Sequence, residues 1–404
     1  MLVLATSLVL LTIAAALSYW DRRVSLLISL AVAAASSTLA GSVAPLLLFV
    51  AVLNIVSFLV IRDNPIAGVD YTLVALILVA TALAFASPSN DFATLLTAFV
   101  AASVPTYVLV MVGDRLNVDV AVKYVTFMVL ATVLFLIGAA LLYYSYENGS
   151  EQIYALALLA LLVGLCIEVG VAPVHEWVPD VFASADPIPV SVVASLAKFA
   201  PFVVAYKIVL ATATPYTATV MPVIAVIAAV SMFFGNVAAL TSNDPSRILA
   251  YSTVANMGYI LATFAALTAG KEYVFFAIAG GLLQLFVNSF GKIGFFNTIK
   301  GGSTSAAYAW LLSFSFIGLP PLMGFWSKLF IIYSLVNSAY LWLALVLVFN
   351  SAISVPYYVR LARLLGRGWK FSVANAVALF AALVMLVTIV PPTWFVDVVA
   401  SMRW

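Results

Sequence analysis

Four charged side chains lie well inside long apolar stretches of the sequence: Glu168, Lys198, Lys292 and Lys328. A charged side chain at the centre of a bilayer costs about 2.5–3.5 kcal/mol on insertion scales, so such residues face a bundle interior or a hydrated cavity. Carboxyl and amino groups in that setting can accept and release protons. We therefore predict a functional role for these four residues. Buried ion pairs that only hold helices together are the alternative.

The only histidine of the chain, His175, lies between two prolines in the stretch LCIEVGVAPVHEWVPD, residues 165–180. Proline removes a backbone donor and clashes with the preceding turn, so Pro173 is expected to break the helix that carries Glu168. An imidazole at a break can carry a proton, or it can hydrogen-bond the carbonyls that the break leaves free. Both interpretations of His175 remain open.

Polar side chains in a later apolar stretch are spaced for one helical face. Gln284, Asn288 and Lys292 follow one another at intervals of four residues, which places them in a row along a helix. With Lys328, which follows the Pro320–Pro321 doublet, this row could support a hydrated chain of proton donors and acceptors. Interhelical hydrogen bonding uses the same residue types and accounts for the amides equally well. It does not account for the two lysines.

Composition identifies the class of protein that holds these residues. Hydrophobic residues make up 66% of the 404 and charged residues only 8%, with a mean hydropathy of +1.20, whereas soluble domains carry roughly 25% charged residues. The first segment is expected to be a transmembrane helix and not a signal peptide, because it has no basic start and no cleavage site. One cysteine and one histidine exclude a disulfide framework, an iron–sulfur cluster held by this chain alone and bis-histidine haem ligation. No nucleotide-binding loop is present. We expect an all-α polytopic membrane protein that holds no cofactor of its own.

The apolar stretches repeat at the length of about 20 residues that spans a bilayer. We count fourteen spans: roughly 2–19, 24–40, 43–62, 71–88, 92–113, 121–144, 152–184, 188–211, 216–241, 245–268, 273–300, 308–336, 339–364 and 371–395.

Basic residues indicate the orientation of these spans. The connections after odd-numbered spans carry eleven of them: Arg22, Arg23, Arg62, Arg115, Lys123, Arg247, Lys300, Arg360, Arg363, Arg367 and Lys370. The other side carries three: Lys207, Lys271 and Arg403. Because positive charge accumulates on the cytoplasmic side, both termini are expected outside the cytoplasm.

The seventh and twelfth spans are unusually long and contain GVAPVHEWVPD and GLPPLMGFWSK. Paired broken helices in corresponding halves are typical of transporters built from inverted repeats. We predict one five-helix unit over 71–211 and a second, inverted, over 212–364. Residues 1–70 would form the first three helices and 365–404 the last.

Several of these stretches resemble the antiporter-like membrane subunits of complex I (NADH-quinone oxidoreductase) and its relatives, above all the N-type subunit. The resemblance covers roughly residues 92–364. It rests on the broken seventh helix and the eighth, VAPVHEWVPDVFASADPIPVSVVASLAK, on FGNVAALTSNDPSRILAYSTVANMGYIL in the ninth and tenth, and on IGLPPLMGFWSKLF in the twelfth.

The resemblance implies a site. Family members move protons through a hydrated central axis, with a glutamate in the fifth helix, lysines in the seventh and eighth, and a lysine or a glutamate in the twelfth. Lys198 and Lys328 match the eighth- and twelfth-helix lysines. Two positions depart from the family: Val100 stands where the glutamate is expected, and Glu168 where the seventh-helix lysine is expected.

These departures leave two hypotheses. In one, Glu168 forms a relocated pair with Lys198, and the pathway Glu168, Lys198, Lys292, Lys328 still conducts. In the other, the chain is a non-pumping scaffold or a conformational relay.

The resemblance also implies function and partners. We expect a proton-translocating, non-redox subunit of a complex I-like oxidoreductase in the plasma membrane of a prokaryote. Its membrane-arm partners would adjoin it, and FMN, iron–sulfur clusters and quinone would be bound by other subunits. A subunit of a multisubunit sodium/proton antiporter is the alternative. A stand-alone transporter of a small solute is disfavoured, because charged or aromatic substrate ligands are lacking around the breaks.

Overall fold

The computed structural model of the chain describes residues 2–61, 64, 66–112, 118–402 and 404. Two predicted span ends, at 62 and 113, lie outside the described residues. The same holds for three of the basic residues that indicated the orientation: Arg62, Arg115 and Arg403. Within the described part every regular element is helical. The α-helices are α1 (Leu2–Leu17), α2 (Arg22–Ser37), α3 (Ala44–Ser57), α4 (Val69–Ala86), α5 (Phe92–Leu109), α6 (Val118–Asn148), α7 (Glu151–Val169), α8 (Trp177–Ser184), α9 (Pro187–Ala194), α10 (Phe199–Ala211), α11 (Thr217–Thr241), α12 (Pro245–Ala265), α13 (Lys271–Gly301), α14 (Ala306–Ile317), α15 (Met323–Val336), α16 (Leu341–Leu365), α17 (Val373–Val384) and α18 (Thr393–Ala400).

The described helices confirm an all-α polytopic membrane protein. Ten helical segments among them are long and apolar enough to cross a membrane. One of these, Arg22–Val60, contains α2 and α3, which Gly41 separates with a non-helical backbone conformation (φ 59°, ψ −131°). Four shorter apolar helices, α1, α14, α15 and α17, occupy the remaining predicted spans. The count of fourteen crossings stays a prediction.

Both predicted helix breaks are confirmed. The seventh span consists of α7 and α8, and the twelfth consists of α14 and α15. The first half of each ends at a glycine with positive φ, Gly170 (81°) and Gly318 (92°), because only glycine adopts this left-handed conformation without a steric penalty. Pro173 and Pro321 follow through cis peptide bonds.

The eighth span, predicted over 188–211, lies within one apolar segment, Pro187–Ala211, but its helix is interrupted in the middle. α9 ends at Ala194, and a single 3₁₀ turn that ends with Lys198 leads into α10. Pro201 is the third residue of α10, in the first turn, where the missing N–H of proline costs no hydrogen bond within the helix. The Ser195 hydroxyl assists by donating to the Ser191 carbonyl oxygen (2.5 Å) and accepting from Asn54 Nδ2 (2.9 Å).

The last predicted span, 371–395, was wrong in its second half. α17 ends at Val384, turns follow, and the Pro391–Pro392 doublet precedes the unpredicted α18. The turn is used structurally: the Met385 carbonyl oxygen accepts from the Met323 N–H (3.2 Å). The Thr388 carbonyl oxygen accepts from Trp326 Nε1 (2.9 Å). The C-terminal segment therefore holds the break between α14 and α15.

The most enclosed helices form the centre of the bundle. Within each segment, we compared the buried share of the most apolar 18 residues. This share is 94% for 187–211 and for 245–268, and 89% for α13. In contrast, it is only 33% for α6 and 39% for α16. The central helices carry Lys198 and Lys292, so these two charges lie far from the lipid-facing surface.

Candidate functional site

The first helix break places Lys198 at the carboxyl end of α7. Its Nζ donates a hydrogen bond to the Glu168 carbonyl oxygen (2.9 Å). The last carbonyls of a helix have no partner within it and carry the negative end of the helix dipole, so they stabilise an ammonium group. The Trp177 ring lies 4.8 Å from the same Nζ and adds a cation–π contact. Lys198 itself is 2% exposed.

The Glu168 carboxylate turns away from this contact. Its Oε1 accepts from Ser103 Oγ (2.6 Å), while its buried Oε2 has no hydrogen-bond partner among the described residues. No ion pair between the carboxylate and Lys198 is formed, although the structure describes both side chains. The two residues are thus neighbours, as predicted: a hydrogen bond to the main chain joins them, and their charged groups interact without forming an ion pair.

Ser103 is the residue of α5 that contacts Glu168, and the sequence analysis did not identify it. Its own carbonyl oxygen accepts from Thr106 Oγ1 (2.6 Å), and Thr106 Oγ1 accepts from the Tyr124 hydroxyl (2.9 Å). Val100, where the family glutamate is expected, lines an apolar surface groove with residues such as Leu136. Ser103 lies three residues after Val100, about one helical turn further along α5.

The second helix break repeats the arrangement of the first. Lys328 Nζ donates to the carbonyl oxygens of Phe316 (2.8 Å) and Ile317 (3.0 Å), the last residues of α14. The Tyr259 ring lies 5.2 Å from this Nζ. The first halves of both broken helices, α7 and α14, therefore each hold one buried lysine ammonium on their free carbonyls.

Lys292 lies between the two breaks on α13. Its Nζ donates to the Leu249 carbonyl oxygen (2.6 Å) and to Ser252 Oγ, both on α12. The Phe316 ring, from the end of α14, lies 5.3 Å from it. Lys292 is fully buried, and its described contacts are with neutral groups, so no carboxylate fixes its proton.

The polar row predicted on α13 connects Lys292 with the second break. The Ser252 carbonyl oxygen accepts from Asn256 Nδ2 (2.6 Å), and Asn256 Oδ1 accepts from Gln284 Nε2 (2.6 Å). Gln284 Oε1 in turn accepts from the hydroxyl of Ser327 (2.5 Å), the residue before Lys328. Hydrogen bonds thus extend from Lys292 to α15.

Asn288 lies one turn from Lys292 and reaches towards the first break. Its Nδ2 donates to the Ala194 carbonyl oxygen (2.7 Å) at the end of α9. Its Oδ1 is buried and has no hydrogen-bond partner in the described chain. Asn288 therefore supplies the contact between the Lys292 helix and the interrupted helix that carries Lys198.

His175 lies apart from the four charges. Its ring packs edge-on against Phe234 at 4.7 Å, and its Nδ1 is 3.3 Å from the Pro173 carbonyl oxygen. It lines a 550 Å³ cavity together with Lys123 and Asp180, which form an ion pair (2.5 Å). The described contacts agree with the interpretation that His175 binds a carbonyl freed by the break. Its proton-carrying role stays a prediction.

A hydrogen bond links the first break to the second predicted unit. The Ala172 N–H, which precedes the break-forming proline, donates to Ser231 Oγ on α11 (3.1 Å). The Ser231 hydroxyl donates to the Val254 carbonyl oxygen on α12 (2.9 Å). Val254 lies between Ser252 and Asn256 of the polar row, so one serine contacts both the break and the helix that binds Lys292.

Further buried charges occur at helix ends, where the sequence analysis did not expect them. Asp70 is fully buried and accepts from the N–H groups of Gly68 (2.9 Å) and Tyr71 (2.7 Å). Lys207, expected among the charges of an external connection, is instead fully buried on α10. Its Nζ donates to the carbonyl oxygens of Phe85 (2.7 Å) and Ser87 (2.5 Å) at the end of α4. Lys207 lies four residues before the end of the predicted eighth span, a position that already indicates burial within the membrane.

We expect Lys207→Met to destabilise the protein without affecting proton transfer. The substitution keeps the apolar stem but leaves two carbonyls at the end of α4 without their donor, and each buried unsatisfied group costs about 1–3 kcal/mol. Differential scanning calorimetry of the purified assembly should show a lower unfolding temperature, with proton movement per turnover unchanged. A loss of proton movement at unchanged stability would contradict this structural role.

Comparison with known proteins identifies the family. Residues 89–354, more than half of the chain, match the family model described as "NADH:quinone oxidoreductase/Mrp antiporter, TM". The chain belongs to this family. Curated relatives include the NADH-quinone oxidoreductase subunit N of Laribacter hongkongensis, 31% identical over 273 residues, and that of Sulfurovum sp., 30% identical over 319 residues. The matches cover 61% and 69% of the chain but only 56% and 63% of these relatives. The chain therefore spans less than two thirds of their length.

Solved structures share the fold over nearly the whole chain. A chain of the Mrp complex from Dietzia sp. superposes with a TM-score of 0.80 at 18% identity, covering 98% of this chain and 94% of its own. A chain of respiratory complex I from Thermus thermophilus superposes with a TM-score of 0.74 at 23% identity, covering 97% and 98%. At these identities the likeness establishes the antiporter-like fold alone.

Proposed function

We propose that the chain is a proton-translocating, non-redox membrane-arm subunit of a complex I-like quinone-reducing oxidoreductase. The observation that carries this proposal is the lysine at each helix break. Lys198 and Lys328 each place a buried ammonium on the last carbonyls of a half-helix, and both occupy positions where the family resemblance expects a proton-carrying lysine. A buried polar row extends from Lys292 to Ser327 within the second unit, and Asn288 joins the Lys292 helix to α9 of the first unit.

The residues divide the transfer into short steps. The carbonyls around Lys198 and Lys328 stabilise each ammonium until its proton moves on, after which the neutral amine can accept another. Lys292 accepts a proton from the Lys198 side and releases it towards Lys328 through water molecules beside the polar row, so one proton advances and each lysine returns to its starting charge. Glu168 Oε2 and Asn288 Oδ1 are buried acceptors that water molecules can satisfy, and we infer that water completes the pathway at these two points.

Two alternatives to this proposal are a subunit of a sodium/proton antiporter and a non-pumping scaffold. The Mrp-like fold accommodates an antiporter subunit equally well, but the roughly 30% identity to subunit N relatives, against 18% to the Mrp chain, favours the oxidoreductase assembly. A non-pumping scaffold would account for Val100 in place of the expected glutamate. It would not account for a buried acid at Glu168 that has a dedicated donor in Ser103.

The assembly follows from the same proposal. Other membrane-arm subunits would adjoin this chain in a prokaryotic plasma membrane, and FMN, iron–sulfur clusters and quinone would be held by partners. The chain would take part in the enzyme as a translocase subunit, without a redox centre. We further infer that 71–211 and 212–364 are inverted units and that both termini face outward, because the charge bias over the connections favours this orientation.

Purification of the chain with its native partners tests the function. The membrane assembly should be isolated through a tag on this chain, and its subunits identified by mass. We expect iron–sulfur proteins and a quinone-binding subunit in constant ratio to the tagged chain. Recovery of antiporter chains alone would favour the sodium/proton antiporter, and recovery of the chain alone would overturn both assemblies.

A further inference from the structure

A large cavity opens at the end of α13, away from the proton-transfer residues. Its volume is 820 Å³. Leu59 and Val60 of the turn after α3 contribute apolar lining, and Lys370, Ser372 and Asn375 contribute polar lining. Apolar and polar lining in one cavity at the end of membrane spans is the arrangement that a phospholipid needs at the junction of its headgroup and acyl chains.

The charges at this cavity are mainly positive. Lys370 lines it and is exposed on the loop between α16 and α17, as is Arg367 nearby on the same loop. Lys300 also lines it, and its Nζ is bound to Asp186 (2.5 Å), so its charge is already balanced in part. Among the described residues, two exposed cations thus lie beside the part-buried Lys300–Asp186 ion pair.

The first turn of α17 adds backbone donors to the polar lining. The Ser372 hydroxyl accepts from the Asn375 N–H (3.2 Å) and caps the helix, while the N–H groups of Val373 and Ala374 have no partner within the helix. A helix start of this kind attracts phosphate. It also lies next to Lys370, so donors and positive charge are placed together.

Asn375 gives independent evidence of a ligand. It is 2% exposed and lines the cavity, and its Nδ2 donates to the Lys370 carbonyl oxygen (2.8 Å). That bond fixes the orientation of the amide, and Oδ1 is left buried without a hydrogen-bond partner in the described residues. A buried acceptor without a donor costs free energy, so a ligand with a hydroxyl group would relieve it.

The polar lining is held in place by the structure. The Thr304 N–H donates to the Leu365 carbonyl oxygen (3.0 Å), the Gly368 N–H donates to the Thr304 carbonyl oxygen (3.2 Å), and Ser303 Oγ donates to the Gly368 carbonyl oxygen (3.2 Å). On the same loop, the side chains of Trp369 and Phe371 are 54% and 90% exposed. Aromatic rings with neighbouring cations are typical of the bilayer interface.

We propose that this cavity binds the headgroup of an anionic phospholipid that carries hydroxyl groups, of the phosphatidylglycerol class. Its phosphate lies at Lys370 and the start of α17, and a glycerol hydroxyl donates to Asn375 Oδ1. Its acyl chains follow Leu59 and Val60 into the bilayer. Phosphatidylethanolamine is the excluded alternative, because its ammonium group would add a further cation beside Lys370.

Photo-crosslinking on the purified native complex tests this site. A phosphatidylglycerol with a diazirine close to the headgroup should be incorporated in mixed micelles, irradiated and mapped by peptide mass spectrometry. We expect labelled peptides that contain residues 366–376, and competition by unlabelled phosphatidylglycerol but not by phosphatidylethanolamine. Labelling confined to other surfaces of the chain, or equal competition by the two lipids, would overturn the proposal.

Two variants connect the labelling to the named contacts. Lys370→Ala should weaken retention of phosphatidylglycerol about fivefold, since one cation near a membrane surface contributes about 1 kcal/mol to the binding of anionic lipid. Asn375→Leu should reduce labelling while leaving phosphate-dependent binding in part. The control is Lys271→Ala, which removes an exposed cation at the opposite end of α13. Assembly of each variant should be verified on native gels, and equal retention in Lys370→Ala and Lys271→Ala would refute the assignment.

Discussion

A complex carrying Glu168→Gln is expected to translocate fewer protons per quinone reduced than the unmodified complex. Glutamine preserves the size of the side chain and can still accept from Ser103 Oγ, but it cannot take up a proton at the first break. General acid–base groups typically contribute about 100-fold or more to the rates they serve, so flux through this chain should fall by that order. Reconstituted vesicles with a pH-sensitive dye, driven by a measured amount of quinone, give the ratio directly.

Lys198→Ala should produce the same loss, because it removes the amine that the α7 carbonyls hold. Ser103→Ala should have a smaller effect, since it removes one donor from the carboxylate but not the titratable group. Lys207→Met is the matched control: it also removes a buried lysine, but one that lies outside the polar row. Unchanged stoichiometry and rate in both Glu168→Gln and Lys198→Ala would overturn conduction and favour the scaffold.

The largest expected effect on folding comes from Gly324→Ala at the second break. A Cβ at this position would lie 1.8 Å from the Ser315 carbonyl oxygen and 2.8 Å from its carbonyl carbon. Both atoms belong to the backbone of α14, so no side chain can rotate away to relieve the clash. Overpacking typically costs about 1–3 kcal/mol and sometimes more, and separating α14 from α15 would also disturb the carbonyls that bind Lys328. We expect little or no variant in the assembled complex on native gels.

Gly368→Ala provides the control for this experiment. Its Cβ would meet no atom within 4 Å, so the same substitution should leave assembly and unfolding temperature unchanged. Assembly of Gly324→Ala at the level of Gly368→Ala would contradict the close contact between the two half-helices.

The fold could be predicted from the sequence to the extent that prolines and charges mark it. The paired prolines of the seventh and twelfth spans marked both breaks, whereas a lone proline, such as Pro105 in α5 or Pro356 in α16, is accommodated inside a helix. The interruption before Lys198 was missed, since it depends on where Pro201 falls relative to a helix start that the apolar sequence does not mark. The turn after α17 depends on contacts with α15, to which no local pattern in residues 385–392 points.

The charged residues of the candidate site could be predicted from the sequence, but their hydrogen-bond partners could not. A lysine inside an apolar span needs polar groups as hydrogen-bond acceptors, and Lys198, Lys292 and Lys328 were identified on that ground. Which groups they meet depends on tertiary packing, and all three bind backbone carbonyls that the sequence does not distinguish. Ser103 was missed for a related reason, because a serine in an apolar helix can bond its own preceding turn and needs no acid across the interface.

The Ser231 hydroxyl restricts how the two units can move. It is shared by the Ala172 N–H at the first break and the Val254 carbonyl oxygen on α12. A hinge motion at the first break therefore either breaks one of these two hydrogen bonds or moves α11 and α12 together with the break. Because this junction lies within one polypeptide, a conformational change at the first break is transmitted directly to the helices of the second unit.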